Sequence, residues 1–306
     1  MPDRVNPRGG LRPPSTRTIQ WAGEQCGPGS RVTSARRLPE GGWHENHALE
    51  VLDGRGGTRR LILRRWARPE WIIEDPDFTV EREIIALTLL AAVAVPTPEV
   101  VAADPHGDIC DVPTLLITRL PGRPPTQPRD MRAFLTQLAT ALPPIHALAA
   151  SPELVPRYRT YVALDGRMPP SWLDTPKLWE EAFDVASGHM PVAEHSFIHR
   201  DYHPGNTLWS AGDLTGVIDW TQGSWGPPGI DLGWMRWNLL LRYGQEAADE
   251  FLAAYRTISG KADYDRRWDI LAAVDFVTAA KPHGALPSLE ARSLLERHVA
   301  SALACI

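Results

Sequence analysis

The chain has 306 residues, a formal net charge of −5, 43% hydrophobic and 23% charged residues. A composition this close to the globular average excludes a largely disordered chain, and the length allows about two domains or one large two-lobed unit. The negative balance speaks against a nucleic-acid partner, and the longest apolar run, residues 86–95 broken by Thr88, is too short to cross a bilayer.

Three widely spaced cysteines, Cys26, Cys110 and Cys305, suit a reducing cytoplasm better than a disulfide framework, and the N-terminus lacks the apolar core of a secretion signal. A cytoplasmic protein without membrane or obligate protein partner is expected. Acidic residues outnumber basic ones by 21 to 17 after Leu120 and by 16 to 15 before it, a slight bias toward a cationic ligand in the second half.

Residues 1–30 hold prolines, glycines and arginines without apolar period and read as a flexible tail, with Ile19 and Trp21 available as a short clasp. Gly41-Gly42 follows, between strand candidates at 35–39 and 47–52; such a pair lets backbone amides approach phosphate oxygens. The turn Asp53-Gly54-Arg55-Gly56-Gly57 leads into a strand from Arg60 to Trp66. Ile84, Ile85, Leu87, Leu89 and Leu90 predict a helix over 79–93, ended by Pro96-Thr97-Pro98, and strands are expected at 99–103 and 114–118.

From there the chain turns mainly helical. A helix over 131–149 carries Phe134, Leu138, Leu142 and Ile145, with Pro143-Pro144 expected to bend or break it and His146 expected to be buried beside a neighbour. Residues 151–170 are irregular, and a short helix is expected near 172–186. A hairpin over 206–218 is turned by Ser210-Ala211-Gly212-Asp213. Helices are expected around 230–243, 245–258, 263–281 and 288–304, and the four tryptophans 220, 225, 234 and 237 are expected to pack in a core.

The stretch Ile198 to Trp209, IHRDYHPGNTLW, carries the chemistry. Asp201 stands five positions before Asn206 in a loop whose Pro204-Gly205 pair forbids a continuing helix, and Asp219 supplies a second carboxylate. Phosphoryl transfer needs a carboxylate to orient and deprotonate an attacking hydroxyl and oxygen ligands for magnesium. Asp201 suits the first task, and Asn206 with Asp219 the second. A competing zinc site from His195, His199 and His203 would need a helix that Pro204 and Gly205 oppose.

At these residues the chain resembles the aminoglycoside phosphotransferase family of small-molecule kinases, whose catalytic loop reads His-x-Asp-x-x-x-x-Asn. Here that loop stands as His199 to Asn206, the metal-binding step as Ile218-Asp219-Trp220, and a third element as Asp231-Leu232-Gly233. The resemblance spans about residues 36–300. It implies an α+β, bilobal protein-kinase-like fold: a nucleotide-binding lobe over 31–120, with a small antiparallel sheet and a helix, and a mainly helical catalytic and acceptor-binding lobe over 121–306. ATP or GTP and Mg²⁺ are the implied cofactors, and a small molecule with a hydroxyl group is the implied acceptor.

The resemblance also assigns roles. Gly41 and Gly42 would cover the nucleotide, and Thr118 and Leu120 would offer backbone groups to its base. The position of the usual phosphate-pairing lysine falls on Arg64, since the first lysine of the chain is Lys177. Glu83 would fix that cation, with Glu81 as the competing register. Asp231 would bond the backbone of the catalytic loop. An antibiotic acceptor competes with choline, a sugar or a hydroxy amino acid, and a nucleotide-binding module without turnover is the rival from another class.

Overall fold

Alternation of side chains along an extended strand, rather than any single residue, organises the N-terminal part of the computed structural model, which describes residues 13–38, 44–67, 77–161, 163–261, 263–279 and 288–306. These fall into two compact units, one of residues 1–91 with 97–120 and one of residues 92–96 with 121–306.

In the first unit, β1 (Arg31–Arg37), β2 (Glu45–Leu52), β3 (Thr58–Arg65), β4 (Val100–Asp104) and β5 (Thr114–Thr118) form one antiparallel sheet in the order β1-β2-β3-β5-β4. The register sets Leu49 opposite Leu61 and Leu63 opposite Leu116. These residues share one face with Val51, and Trp21 and Ala22 pack onto it. Those two come from α1 (Thr16–Glu24), which Ser15 caps by accepting the Thr18 N–H. The region read as a tail to residue 30 therefore contains a helix. Its apolar residues are too few to signal a period, yet Trp21 and Ala22 have a sheet face to cover.

Pleating sends the neighbouring arginines Arg64 and Arg65 to opposite faces. Arg65 bonds Glu45 at 2.7 Å and Asp111 on the α1 side, and Asp111 in turn accepts the Thr18 hydroxyl. Arg64 points to the other face. A helix, α2 (Val80–Leu90), is capped by Thr79 and buries Val80, Glu83, Ala86, Leu87 and Leu90.

The second unit contains α3 (Met131–His146), α4 (Pro176–Ser187), α5 (Gly229–Tyr243), α6 (Gln245–Ser259), α7 (Arg267–Ala279) and α8 (Leu289–Leu303). It also contains the hairpin β7–β8 (Thr207–Ser210, Asp213–Val217) and the pair β6–β9 (Ser196–Ile198, Ser224–Gly226). Its core gathers Trp179, Phe183, Trp234, Trp237, Trp268 and Val274. Of the four clustered tryptophans, three are buried and Trp225 is half-buried.

α3 is not broken at Pro143-Pro144 but continues to His146. Both prolines lie in its last turn, where only two intrahelical donors are lost, and Ala147 N–H closes the turn on Pro143 O at 3.0 Å. On α5, Gly229 and Gly233 lie one turn apart against Trp268. A Cβ would come within 2.4 Å of the Trp268 ring at the first position and 2.5 Å of its carbonyl oxygen at the second. The glycine of Asp231-Leu232-Gly233 is thus there to let α7 approach.

Candidate functional site

The catalytic-loop candidate is a short irregular segment joining β6 to β7, and buried groups hold it from several sides. Asp231, in the first turn of α5 and wholly buried, accepts the His199 N–H at 2.9 Å and the Arg200 N–H at 2.7 Å. Its Oδ2 also meets His146 Nε2 at 3.0 Å, and His146 Nδ1 lies 3.2 Å from the Tyr255 hydroxyl. A carboxylate only accepts, so His146 carries its proton on Nε2 and receives the tyrosine hydroxyl on Nδ1. The expectations of a buried, bonded His146 and of an Asp231 that bonds the loop backbone describe this arrangement.

Tyr202 and His199 anchor the loop further. Tyr202, fully buried, donates its hydroxyl to Leu138 O on α3 at 2.9 Å. His199 places Nε2 3.0 Å from Ile218 O, and its Nδ1 accepts the Asp201 N–H at 3.3 Å. Tyr202 has no mark in residue type that sets it apart from a core residue, and His199 was marked only as the first residue of the motif; the fold shows what each reaches.

Within this frame Asn206 donates Nδ2 to both the backbone oxygen and Oδ2 of Asp201, each at 3.0 Å. Asp201 itself is 28% exposed, so the carboxylate is held yet accessible. Because the amide nitrogen faces Asp201, the other arm of Asn206 presents an oxygen, an acceptor-only group. Ile218 N–H donates to Asn206 O at 2.9 Å, which ties the residue before Asp219 to the loop.

Arg200 and Asp219 have φ of 71° and 68°, a left-handed conformation that costs a non-glycine residue roughly 1–2 kcal/mol. At Arg200 the hydrogen bond to buried Asp231 offsets this, since a bond to a charged group contributes about 1.5–3 kcal/mol. Arg200 also donates to Gln222 Oε1 at 2.5 Å and lies over the Tyr161 ring at 4.4 Å. Burial first, and then the Asp201 carboxylate, push the Tyr161 phenol well above its ordinary value, so it stays protonated.

His203 completes the loop. Gly205 lets its ring fold back on the chain, because a Cβ there would lie 2.6 Å from the ring. His203 Nδ1 accepts the Gly205 N–H at 3.0 Å, and Nε2 stands 3.6 Å from Asp201 Oδ2. Burial works to lower its pKa, but the Asp201 carboxylate outweighs burial and raises it. With His199 and His203 so engaged, the three-histidine zinc reading fails. Among the described residues no group of three or more His, Cys, Asp or Glu side chains is arranged to hold a metal ion. A two-residue oxygen set is compatible with that finding, because magnesium keeps several waters and substrate oxygens in its shell.

The first unit carries the other candidates. Arg64 Nε forms an ion pair with Glu83 Oε2 at 2.9 Å, with the two side chains 6% and 1% exposed. Glu81, the competing register, is 46% exposed and faces His106 at 3.8 Å. Helical spacing explains the difference, since two residues along α2 turn a side chain to the opposite flank. Thr118 uses its N–H within the sheet, on Glu99 O at 2.9 Å, and its hydroxyl accepts the Glu99 N–H. Its N–H is therefore not on offer to a base. Leu120 is half-buried at the end of this unit. Gly41 and Gly42 lie outside the described residues.

The model of the phosphotransferase enzyme family matches residues 35–269. No curated protein matches the chain. Among solved structures, a thermostable mutant of the aminoglycoside phosphotransferase APH(4)-Ia, in a ternary complex with ADP and hygromycin B, superposes with a TM-score of 0.64 at 15% identity, covering 95% of this chain and 99% of that one. APH(2")-IIIa in its GDP and kanamycin complex gives 0.62 at 18% identity, over 92% and 95% of the two chains. The macrolide 2'-phosphotransferase MphH from Brachybacterium faecium gives 0.57 at 16%, over 89% and 94%. The chain has their α+β, protein-kinase-like fold.

Proposed function

We propose, given that the chain belongs to the phosphotransferase enzyme family and is a small-molecule kinase, that it moves the terminal phosphoryl group of ATP or GTP to a hydroxyl of an antibiotic such as an aminoglycoside. The observation that carries this reading is the Asp201–Asn206 pair: a partly exposed carboxylate gripped by an amide whose own oxygen faces away.

Asp201 holds the acceptor hydroxyl and takes its proton late in the transfer. Asn206 keeps that carboxylate oriented, and its oxygen, with the carboxylate of Asp219, would hold Mg²⁺. These are hard oxygen donors of the kind magnesium prefers. When bound, the ion would neutralise charge on the nucleotide phosphates. Arg64, held by Glu83, serves the phosphates as a fixed cation, and residues 41–42 would cover them with backbone amides. Among the described residues no helix is long and apolar enough to cross a membrane, and we place the activity in the cytoplasm, where nucleoside triphosphates are supplied.

Either nucleotide is supported as donor, since the similar structures hold ADP in one case and GDP in another. An antibiotic acceptor is favoured because those structures belong to aminoglycoside and macrolide phosphotransferases. The test is magnesium-dependent hydrolysis of ATP and GTP by the purified protein, beside an Asp219→Ala variant, followed by an acceptor screen that begins with aminoglycosides. Hydrolysis that disappears in the variant, and rises with one acceptor, is the expected result. Nucleotide binding with no turnover on any acceptor would convert the reading to a binding module.

A further inference from the structure

His44, the residue just before β2, is 5% exposed. Its ring stacks on Phe78 with centroids 4.6 Å apart and meets Trp66 edge-on at 4.4 Å. Its Nδ1 lies 2.9 Å from Arg64 Nη2. A guanidinium only donates, so Nδ1 is the acceptor and the ring carries its proton on Nε2. Glu83 Oε2, from α2, stands as an ion-pair partner 2.9 Å from a different nitrogen of the same group, Nε.

A hydrogen-bond acceptor on one nitrogen, beside a carboxylate near another, sets the turn of a guanidinium plane as well as its place. A lysine ammonium is a rotating point charge and needs only the carboxylate. The planar fork of arginine is useful to a phosphate only when it is correctly turned.

We propose that His44 is a positioning residue for Arg64, an acceptor beside Glu83 that lets an arginine do the work of the phosphate-pairing lysine. This rests on the role given to Arg64 above. The aromatic contacts of His44 serve to hold the ring so that Nδ1 faces the guanidinium.

Two substitutions separate the hydrogen bond from the packing. His44→Phe keeps the stacked ring and removes the acceptor; His44→Asn gives up the ring and places an amide oxygen near the position of Nδ1. Affinity for magnesium-ADP and magnesium-GDP is measured by calorimetry in both variants, with nucleotide KM and kcat wherever turnover is found. The same is done in an Arg64→Lys background. His44→Phe is expected to weaken binding and raise KM about tenfold with kcat little changed, and His44→Asn to restore most of the loss. With lysine at 64, His44→Phe should cost less than about twofold, because the two effects are coupled.

A Phe variant that binds like wild type, an Asn variant more impaired than Phe, or an equal Phe effect with lysine at 64 would each overturn the proposal while leaving the kinase reading intact. Absence of nucleotide binding in the wild-type protein would overturn both.

Discussion

Arg64 and Asp201 are held in different ways. Arg64 stands on a regular strand, where the sheet supplies its backbone position and one carboxylate and one imidazole supply its orientation. Asp201 stands in a loop whose backbone is itself the thing to be fixed. Asp231, His199, Tyr202 and Asn206 all spend their polar groups on peptide atoms of that loop or on atoms that abut it. On a regular element the ladder already satisfies the peptide groups and side chains need only orient one another, whereas an irregular loop needs a buried network for its peptide groups.

The contrast predicts how substitutions divide. The largest effect on turnover should come from Asp201→Ala, a loss of at least about a thousandfold in kcat with melting temperature within a few degrees of wild type, because the side chain is an endpoint of the network. Undiminished turnover would remove Asp201 from its role. Asp231→Ala should behave differently, losing turnover and also about 3–5 kcal/mol of stability in urea unfolding, since three buried donors lose their acceptor. If it lowered turnover with stability intact, the anchoring account of Asp231 would fail.

On the regular side, Glu83→Ala should leave a buried guanidinium without its carboxylate and cost about 3 kcal/mol, together with a raised nucleotide KM. A pH effect of similar size is expected from His47 on β2. Burial, then the charges of Arg65 and Arg37, lower its pKa from 6.5 to about 4. The folded value lies below the unfolded one, so stability is full above pH 6.5 and falls as pH drops toward 4, by up to about 3 kcal/mol at the lower end. Thermal melts across that window, repeated with His47→Gln, should show the slope flatten in the variant. The smallest effect belongs to Glu81→Ala, within about 0.5 kcal/mol and without change in KM, because its side chain is exposed. A large effect there would exchange the roles of Glu81 and Glu83.

Most elements were legible along the chain: the helices at 229–243, 245–259 and 289–303 and the hairpin at 207–217 fall close to their predicted positions. Period and turn chemistry are local, and local patterns survive in a linear reading. α1 and the pair β6–β9 were not foreseen, since a nine-residue helix and two three-residue strands are too short to show a period.

For the site, residue type and spacing, together with the family resemblance, put forward Asp201, Asn206 and Asp219, and the fold brings the first two into hydrogen-bond contact. The resemblance pointed to Arg64 and to Glu83 with Glu81 as the competing register; that Arg64 and Glu83 meet, and that His44 and Tyr202 hold anything at all, depended on the folded chain. Those choices turn on strand parity, helical phase and contacts across 20 to 64 residues of sequence, where a one-residue shift reverses the outcome.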